Sequence, residues 1–218
     1  MDFFNLPSRT KVGRVVPKNA FYEYTNLKQK NILTKCIQRI TWTHKFSADT
    51  VNLNANDVEE IQVFKVELKV QSDILKILEI INKSIPYHIV FWVEFQDQAF
   101  ISTALKHPHP ANEDISVIDW PFISDWFNKA DNSYAFNLKG SLDAVFKDLC
   151  VQITGKPDLG KQSLDAIIKN QQEIDRLKKE ISKLKSAISR SKQFNEKVDL
   201  NLKLKAAEKE LGKITDIE

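Results

Sequence analysis

The sequence predicts an α+β domain, a mixed or antiparallel sheet with packed helices, followed by a C-terminal coiled-coil helical hairpin. Three observations predict it. The segment EEIQVFKVELKV alternates, placing Phe64, Val66, Leu68 and Val70 on one face and Lys65, Glu67 and Lys69 on the other, which is the period of a half-buried strand. Leu27, Ile32, Leu33, Cys36, Ile37 and Ile40 recur mostly at spacings of three and four, the period of a helix with one buried face. Beyond TGKPDLGKQ, Ile167, Ile174, Leu177, Ile181, Leu184 and Ile188 step by threes and fours after a first heptad, with Lys, Arg and Glu between them, as in a coiled-coil seam. The glycines and proline of TGKPDLGKQ mark a boundary that divides the chain into residues 1–155 and 156–218.

The remaining elements follow in order. Val15, Val16 and Pro17 read as extended and lead into the aromatic cluster Phe21, Tyr22 and Tyr24, after which Thr25 is placed to cap the first helix. ITWTHKF and TVNLN read as short strands separated by Ser47, Ala48 and Asp49. Ser72 or Asp73 caps the next helix, whose Ile74, Leu75, Ile77, Leu78, Ile80 and Ile81 present a broad apolar surface that ends before Pro86. YHIVFWVEF is a central strand covered on both faces, with AFISTAL as its hairpin partner. KHPHPANED reads as an exposed loop, because its two prolines withhold backbone donors from a ladder. Ile115, Val117 and Ile118 suggest another strand, and DWPFISDWF a short helix packing Trp120, Phe122, Trp126 and Phe127 over the sheet. Leu142, Val145, Phe146, Leu149 and Val151 close the domain as a helix.

The seam loses phase around SRSKQFNEK and resumes as Leu200, Leu204, Ala207, Leu211 and Ile214, so two helices are expected rather than one rod. Helices of about thirty and about eighteen residues, rising about 1.5 Å per residue, span unequal lengths, and the longer one is expected to keep an uncovered stripe for a partner or a second copy of the chain. The predicted partner-binding residues are therefore Ile167, Ile174, Leu177, Ile181, Leu184, Ile188, Leu200, Leu204 and Leu211.

Composition excludes several classes. With 42% hydrophobic and 28% charged residues, the 218-residue chain is globular rather than disordered. Cys36 and Cys150 are far apart and have no partner at metal-ligand spacing, which argues against a disulfide framework or zinc site and for a cytoplasmic setting. No run approaches the roughly 20 apolar residues needed to span a bilayer. Five glycines and no phosphate-binding loop make a nucleotide cofactor improbable, and no cofactor or metal is expected.

The net charge is +3, yet Arg9, Lys11, Arg14, Lys18, Lys28, Lys30, Lys35, Arg39 and Lys45 face only Asp2 and Glu23 in the first 45 residues. Arg9, Lys11, Arg14 and Lys18 are thus candidates for weak contact with nucleic acid, the plainer reading being a solvated surface. Glu67-Leu68-Lys69, with Asp49, Asp57 or Glu60 upstream, fits the pattern by which some nucleases hold Mg²⁺ beside a strand. Alternating Glu and Lys equally solvate a strand face, and no proline-aspartate turn precedes this one. His44, His88, His107 and His109 have no companion pattern for a metal or a nucleophile.

VVPKNAFYE, ITWTHKFSADTVNL, EEIQVFKVELK, INKSIPYHIVF, Asp119-Trp120, LKGSLDAVFKDL and QFNEKVDLNLKLK, taken in that order, resemble the bacterial family known as domain of unknown function 4391. The resemblance covers nearly the whole chain and carries no catalytic residue with it. It implies a genomic association with helicases and DNA methyltransferases of type III-like restriction-modification and antiviral defence loci. The expected function is accordingly a non-catalytic accessory subunit that binds protein partners through the hairpin, the alternative being an Mg²⁺-dependent nuclease subunit using Glu67 and Lys69.

Overall fold

β-Branched and aromatic residues fill Ile37–Ser47 (β2), Glu60–Leu68 (β3) and His88–Phe95 (β4), and these segments form the middle of a seven-stranded, mostly antiparallel sheet. The computed structural model describes residues 3–191 and 193–215 and divides into two compact units, Met1–Pro157 and Asp158–Glu218. In the first unit, Lys11–Val15 (β1) flanks β2, while Gln98–His109 (β5) and Asn112–Ile123 (β6) extend the sheet beyond β4. A two-residue strand, Phe127–Asn128 (β7), also pairs with β5.

Only β3 and β4 run parallel, and the helix Leu75–Lys83 (α3) connects them. With Leu27–Lys35 (α1), α3 covers one face, where Leu33, Ile37, Phe64, Val66, Ile77, Ile81, Phe91 and Val93 form a buried cluster. The opposite face receives Leu142–Thr154 (α4), whose Phe146 meets His88 edge-on at 4.5 Å. Trp92 lies on that second face, stacked on Phe3 at 4.1 Å. His88 to Val93 are buried without interruption, the two-sided central strand expected from YHIVFWVEF.

Several elements differ from the sequence reading, each for a local reason. The first helix ends at Lys35, so Ile37 and Ile40 belong to β2; its N-cap is Asn26, not Thr25, through a reciprocal capping box with Gln29. TVNLN is not a strand. Thr50 accepts the Ser47 backbone N–H at 2.8 Å, closing the short helix Ala48–Val51 (α2), and Asn52 ends it in the left-handed region with φ 54°. KHPHPANED is a hairpin tip between long strands, with a register irregularity at Pro108/His109. DWPFISDWF is likewise no helix. Trp120 to Ile123 finish β6, and Pro121 is tolerated because β6 is an edge strand whose outer side demands no donor.

The second unit is a helical hairpin of Leu164–Arg190 (α5) and Phe194–Thr215 (α6). Leu177, Ile181 and Ala207 form its buried centre, with Leu184, Leu204, Leu211 and Ile214 packed around them. Lys185 and Glu208 bridge the helices at 3.0 Å. The Ser163 hydroxyl accepts from the Ala166 N–H and caps the start of α5. Lys192, in the expected break between the helices, lies outside the described residues.

Asp143, in the first turn of α4, fastens the chain between α2 and β3 to that helix. Its carboxylate accepts backbone N–H bonds from Asn56 at 3.2 Å, Asp57 at 3.0 Å and Val58 at 3.0 Å. Burial opposes ionisation, but the backbone donors outweigh it and hold the carboxyl below its ordinary range. A depressed native pKa stabilises the fold above the unfolded pKa of about 3.9 and loses that contribution as pH falls through the native value. Asp143→Asn should therefore be less stable than wild type at neutral pH in urea unfolding, with the difference shrinking under acid; a difference that stays constant into acid would show that ionisation of Asp143 contributes nothing.

Candidate functional site

Phe194, Val198 and Leu202 follow one another at spacings of four, which puts them in a row on one face of α6. They are 78%, 42% and 64% exposed. Lys197, Asn201 and Lys205 border the row on one side, Asn195, Asp199 and Lys203 on the other, all exposed. It is the largest run of exposed apolar side chains on any described helix. The row was not read from the sequence, although its spacing of four is visible there, because it begins inside SRSKQFNEK, where the seam loses phase.

The expected uncovered seam on α5 is not there. Ile167, Ile174, Leu177 and Ile181 are buried, and Leu184, Ile188, Leu200, Leu204 and Leu211 are half-buried. The reason is length: α5 has 27 residues and α6 has 22, so the helices nearly match. The apolar surface left over thus lies on the outer face of α6.

The basic N-terminal residues are split in their engagements. Arg9 donates to the Val51 carbonyl at 3.3 Å and Lys18 to the Ile37 carbonyl at 2.9 Å. Lys11 and Arg14 stand exposed on the edge strand β1, on either side of Gly13, whose φ of +66° coincides with the register shift in the β1–β2 pairing. The geometry leaves Lys11 and Arg14 facing solvent and ties the other two down.

Glu67 sits at the carboxyl end of β3, directly beside Glu94 on the parallel strand β4. Arg39 donates to Glu67 at 2.7 Å, and Lys65 reaches Glu94 at 2.7 Å and Glu67 at 3.4 Å, while Lys129 lies 3.6 Å from Glu94. The Arg39 hydrogen bond holds the Glu67 carboxyl low, with burial opposing and Lys65 assisting. Lys69 does not join this ladder; past the end of β3 its ammonium donates to the Thr34 carbonyl at 2.9 Å. Glu60 is taken up at the other end of β3 by Lys45 at 2.7 Å. Among the described residues no three His, Cys, Asp or Glu side chains gather where they could hold a metal ion.

A buried polar group was also unreadable from sequence. Lys106, 5% exposed, donates to the Asn82 and Ile85 carbonyls, both at 2.6 Å, at the end of α3. Among the described residues no carboxylate pairs with it, and burial lowers its pKa to about 7. His88, likewise buried, is lowered to about 4, by desolvation first and then by the charge of Lys106. Lys106 lies in the stretch read as a loop, so nothing in the pattern marked it as interior.

A mixed α+β sheet domain carrying a helical hairpin, with a half-buried ionic ladder and no gathered metal ligands among its described residues, defines an architecture rather than a chemistry. The chain matches the family model described as Domain of unknown function (DUF4391) over residues 4–211, and belongs to that family. No curated protein and no solved structure matches it. No described helix is long and apolar enough to cross a membrane.

Two measurements test these assignments. Incubation with Mg²⁺ or Mn²⁺ and single- or double-stranded DNA should give no cleavage traceable to Glu67 or Lys69; cleavage that disappears in both Glu67→Gln and Lys69→Ala, with folding intact, would establish the nuclease. For Lys106, a neutral amine keeps two N–H groups, enough for both carbonyls. Its native pKa near 7 lies below the unfolded value of about 10.4, so the native state binds fewer protons between them and its stability rises with pH across that window. Wild type should accordingly gain on Lys106→Met in urea unfolding between about pH 6.5 and about pH 9.5. A flat difference would mean that the buried group stays charged throughout.

Proposed function

We propose that this chain is a non-catalytic, cytoplasmic accessory subunit that binds a protein partner through the outer face of α6. The observation that carries the reading is the row Phe194, Val198 and Leu202. Single exposed apolar residues are ordinary, but three on one helical face leave unrecovered a share of the about 1.5–3 kcal/mol that full burial of such a side chain contributes, and a covering partner would recover it. The borders of the row carry Lys197, Lys203 and Lys205 against Asp199, so the surface suits an apolar helix with acidic flanks. The family resemblance suggests what carries that helix: a helicase or DNA methyltransferase of a bacterial restriction-modification or anti-phage defence complex. Lys11 and Arg14 would add a weak, salt-sensitive attraction to phosphate.

Identification of the genes encoded beside this one, and co-expression with any helicase or DNA methyltransferase among them, tests this directly. One of them should co-purify with the wild-type chain and be lost from Phe194→Glu/Leu202→Glu, whose circular dichroism and thermal midpoint should be unchanged because both positions are exposed. Undiminished co-purification of the double variant would move the partner surface off α6, and no complex with either protein would remove the proposed partner class. Light scattering reports separately whether a second copy occupies the row.

A further inference from the structure

Two cavities, of about 400 Å³ and about 340 Å³, follow one another between α3 and the outer strands of the sheet. Leu75 and Ile123 line both, so the two form one groove. Leu75 and Leu78 make its helical wall, and Phe100, Ala104, Pro121 and Ile123 face them from β5 and β6. The wall is partly bare, with Leu75 38% and Ile123 41% exposed. The layering accounts for it: α1 and α3 pack over the central cluster, and the sheet runs on past α3 into β5 and β6.

Length and charge select the occupant. From Leu75 to Lys83, α3 rises about 12 Å, and the row from Phe194 to Leu202 on α6 rises about 12 Å as well. That row suits an apolar helix with acidic flanks, and α3 answers the description: exposed Leu75 has Asp73 and Glu79 on the same helix border, and Asp125 lies across the groove. Lys76 and Lys83 also border it. Lys83 is paired with Glu79, so at the end where α3 begins the carboxylates of Asp73 and Asp125 outnumber the one ammonium of Lys76. On α6 the Leu202 end of the row carries Lys203 and Lys205, Glu196 lies at the Phe194 end, and Asp199 lies between. Opposite charges meet when the Leu202 end lies at Asp73 and Asp125. This sets α6 antiparallel to α3, the sense in which the ends of two helix dipoles attract.

We propose that the groove takes the Phe194, Val198 and Leu202 row of a second copy of this chain, antiparallel to α3. When each copy gives its row and lends its groove, the contact closes as a twofold dimer and does not propagate. The inference rests on the reading of the α6 row as a docking surface, and it names the occupant that the row has before another protein competes for it.

Light scattering of the full chain at rising concentration, with circular dichroism as the check on folding, is the test. Wild type should move from one copy to two. Phe194→Glu/Leu202→Glu and Leu75→Glu/Ile123→Glu should each weaken the dimer by at least about tenfold, and both should fold because all four positions are exposed. An equimolar mixture of the two variants should regain association, since the intact row of one meets the intact groove of the other. If the groove variant does not fold, Asp125→Lys takes its place: it should weaken the dimer, and adding Lys203→Glu/Lys205→Glu to the same chain should restore it. A wild-type chain that stays a single copy at its highest soluble concentration overturns the inference and leaves the binding of another protein to α6 standing. Association lost in the row variant but kept in the groove variant means that row meets row, which overturns it too. So does association that survives the row variant, or a mixture that regains nothing; co-purification with the other protein decides the α6 reading separately.

Discussion

Because His88 to Val93 are buried on both sides of the sheet, the first unit has to supply a layer above β4 and another below it. The parallel pairing of β3 and β4 supplies one of these as a by-product. Two parallel neighbours require a crossover, and the crossover is α3, whose Ile77 and Ile81 pack on Phe91 and Val93. The other layer is α4, held in place through Asp143 by the loop that leads into β3 and through Phe146 by His88. The antiparallel strands are additions to this centre: β1 and β2 on one side, β5 and β6 on the other, with register shifts in the β1–β2, β2–β3 and β5–β6 pairings and none, among the described residues, in the two pairings that β4 makes.

The regular centre was the part that could be read in advance. Where one physical term dominated, the pattern was legible: alternation on β3, continuous apolarity on β4, the three-and-four rhythm of the hairpin. Misreadings cluster where local chemistry competes with pattern. Thr50 and Val51 favour strands, yet a Ser47–Thr50 capping box closes a helical turn there. Pro108 and Pro121 look like strand breakers, but at a hairpin tip and on an edge strand a missing donor costs no ladder bond. Neither outcome can be decided without knowing which strand is central, and that is a long-range fact.

The interior polar groups follow the same logic. Lys106 and Asn82 are brought together by the packing of β5 against the end of α3, two segments that the sequence separates by more than twenty residues. The ammonium stands where the carbonyls of a helix end point, and the negative end of the helix dipole favours a positive charge there while burial opposes it. Burial lowers its pKa to about 7. Glu67 differs because it is only half-buried and has a guanidinium at 2.7 Å, and its pairing is fully accounted for within the sheet.

In the hairpin the division of apolar residues between inside and outside depends on how far two helices can match. Leu177, Ile181 and Ala207 close the seam, and nearly equal lengths let it stay closed, so the seam residues are consumed in making the unit itself. Their replacement by charged residues would unmake the hairpin and report nothing about a partner. Phe194, Val198 and Leu202 are not among the residues of the buried cluster between α5 and α6, and they are 78%, 42% and 64% exposed. The apolar area they leave exposed is buried only by a contact that the folded chain does not make on its own.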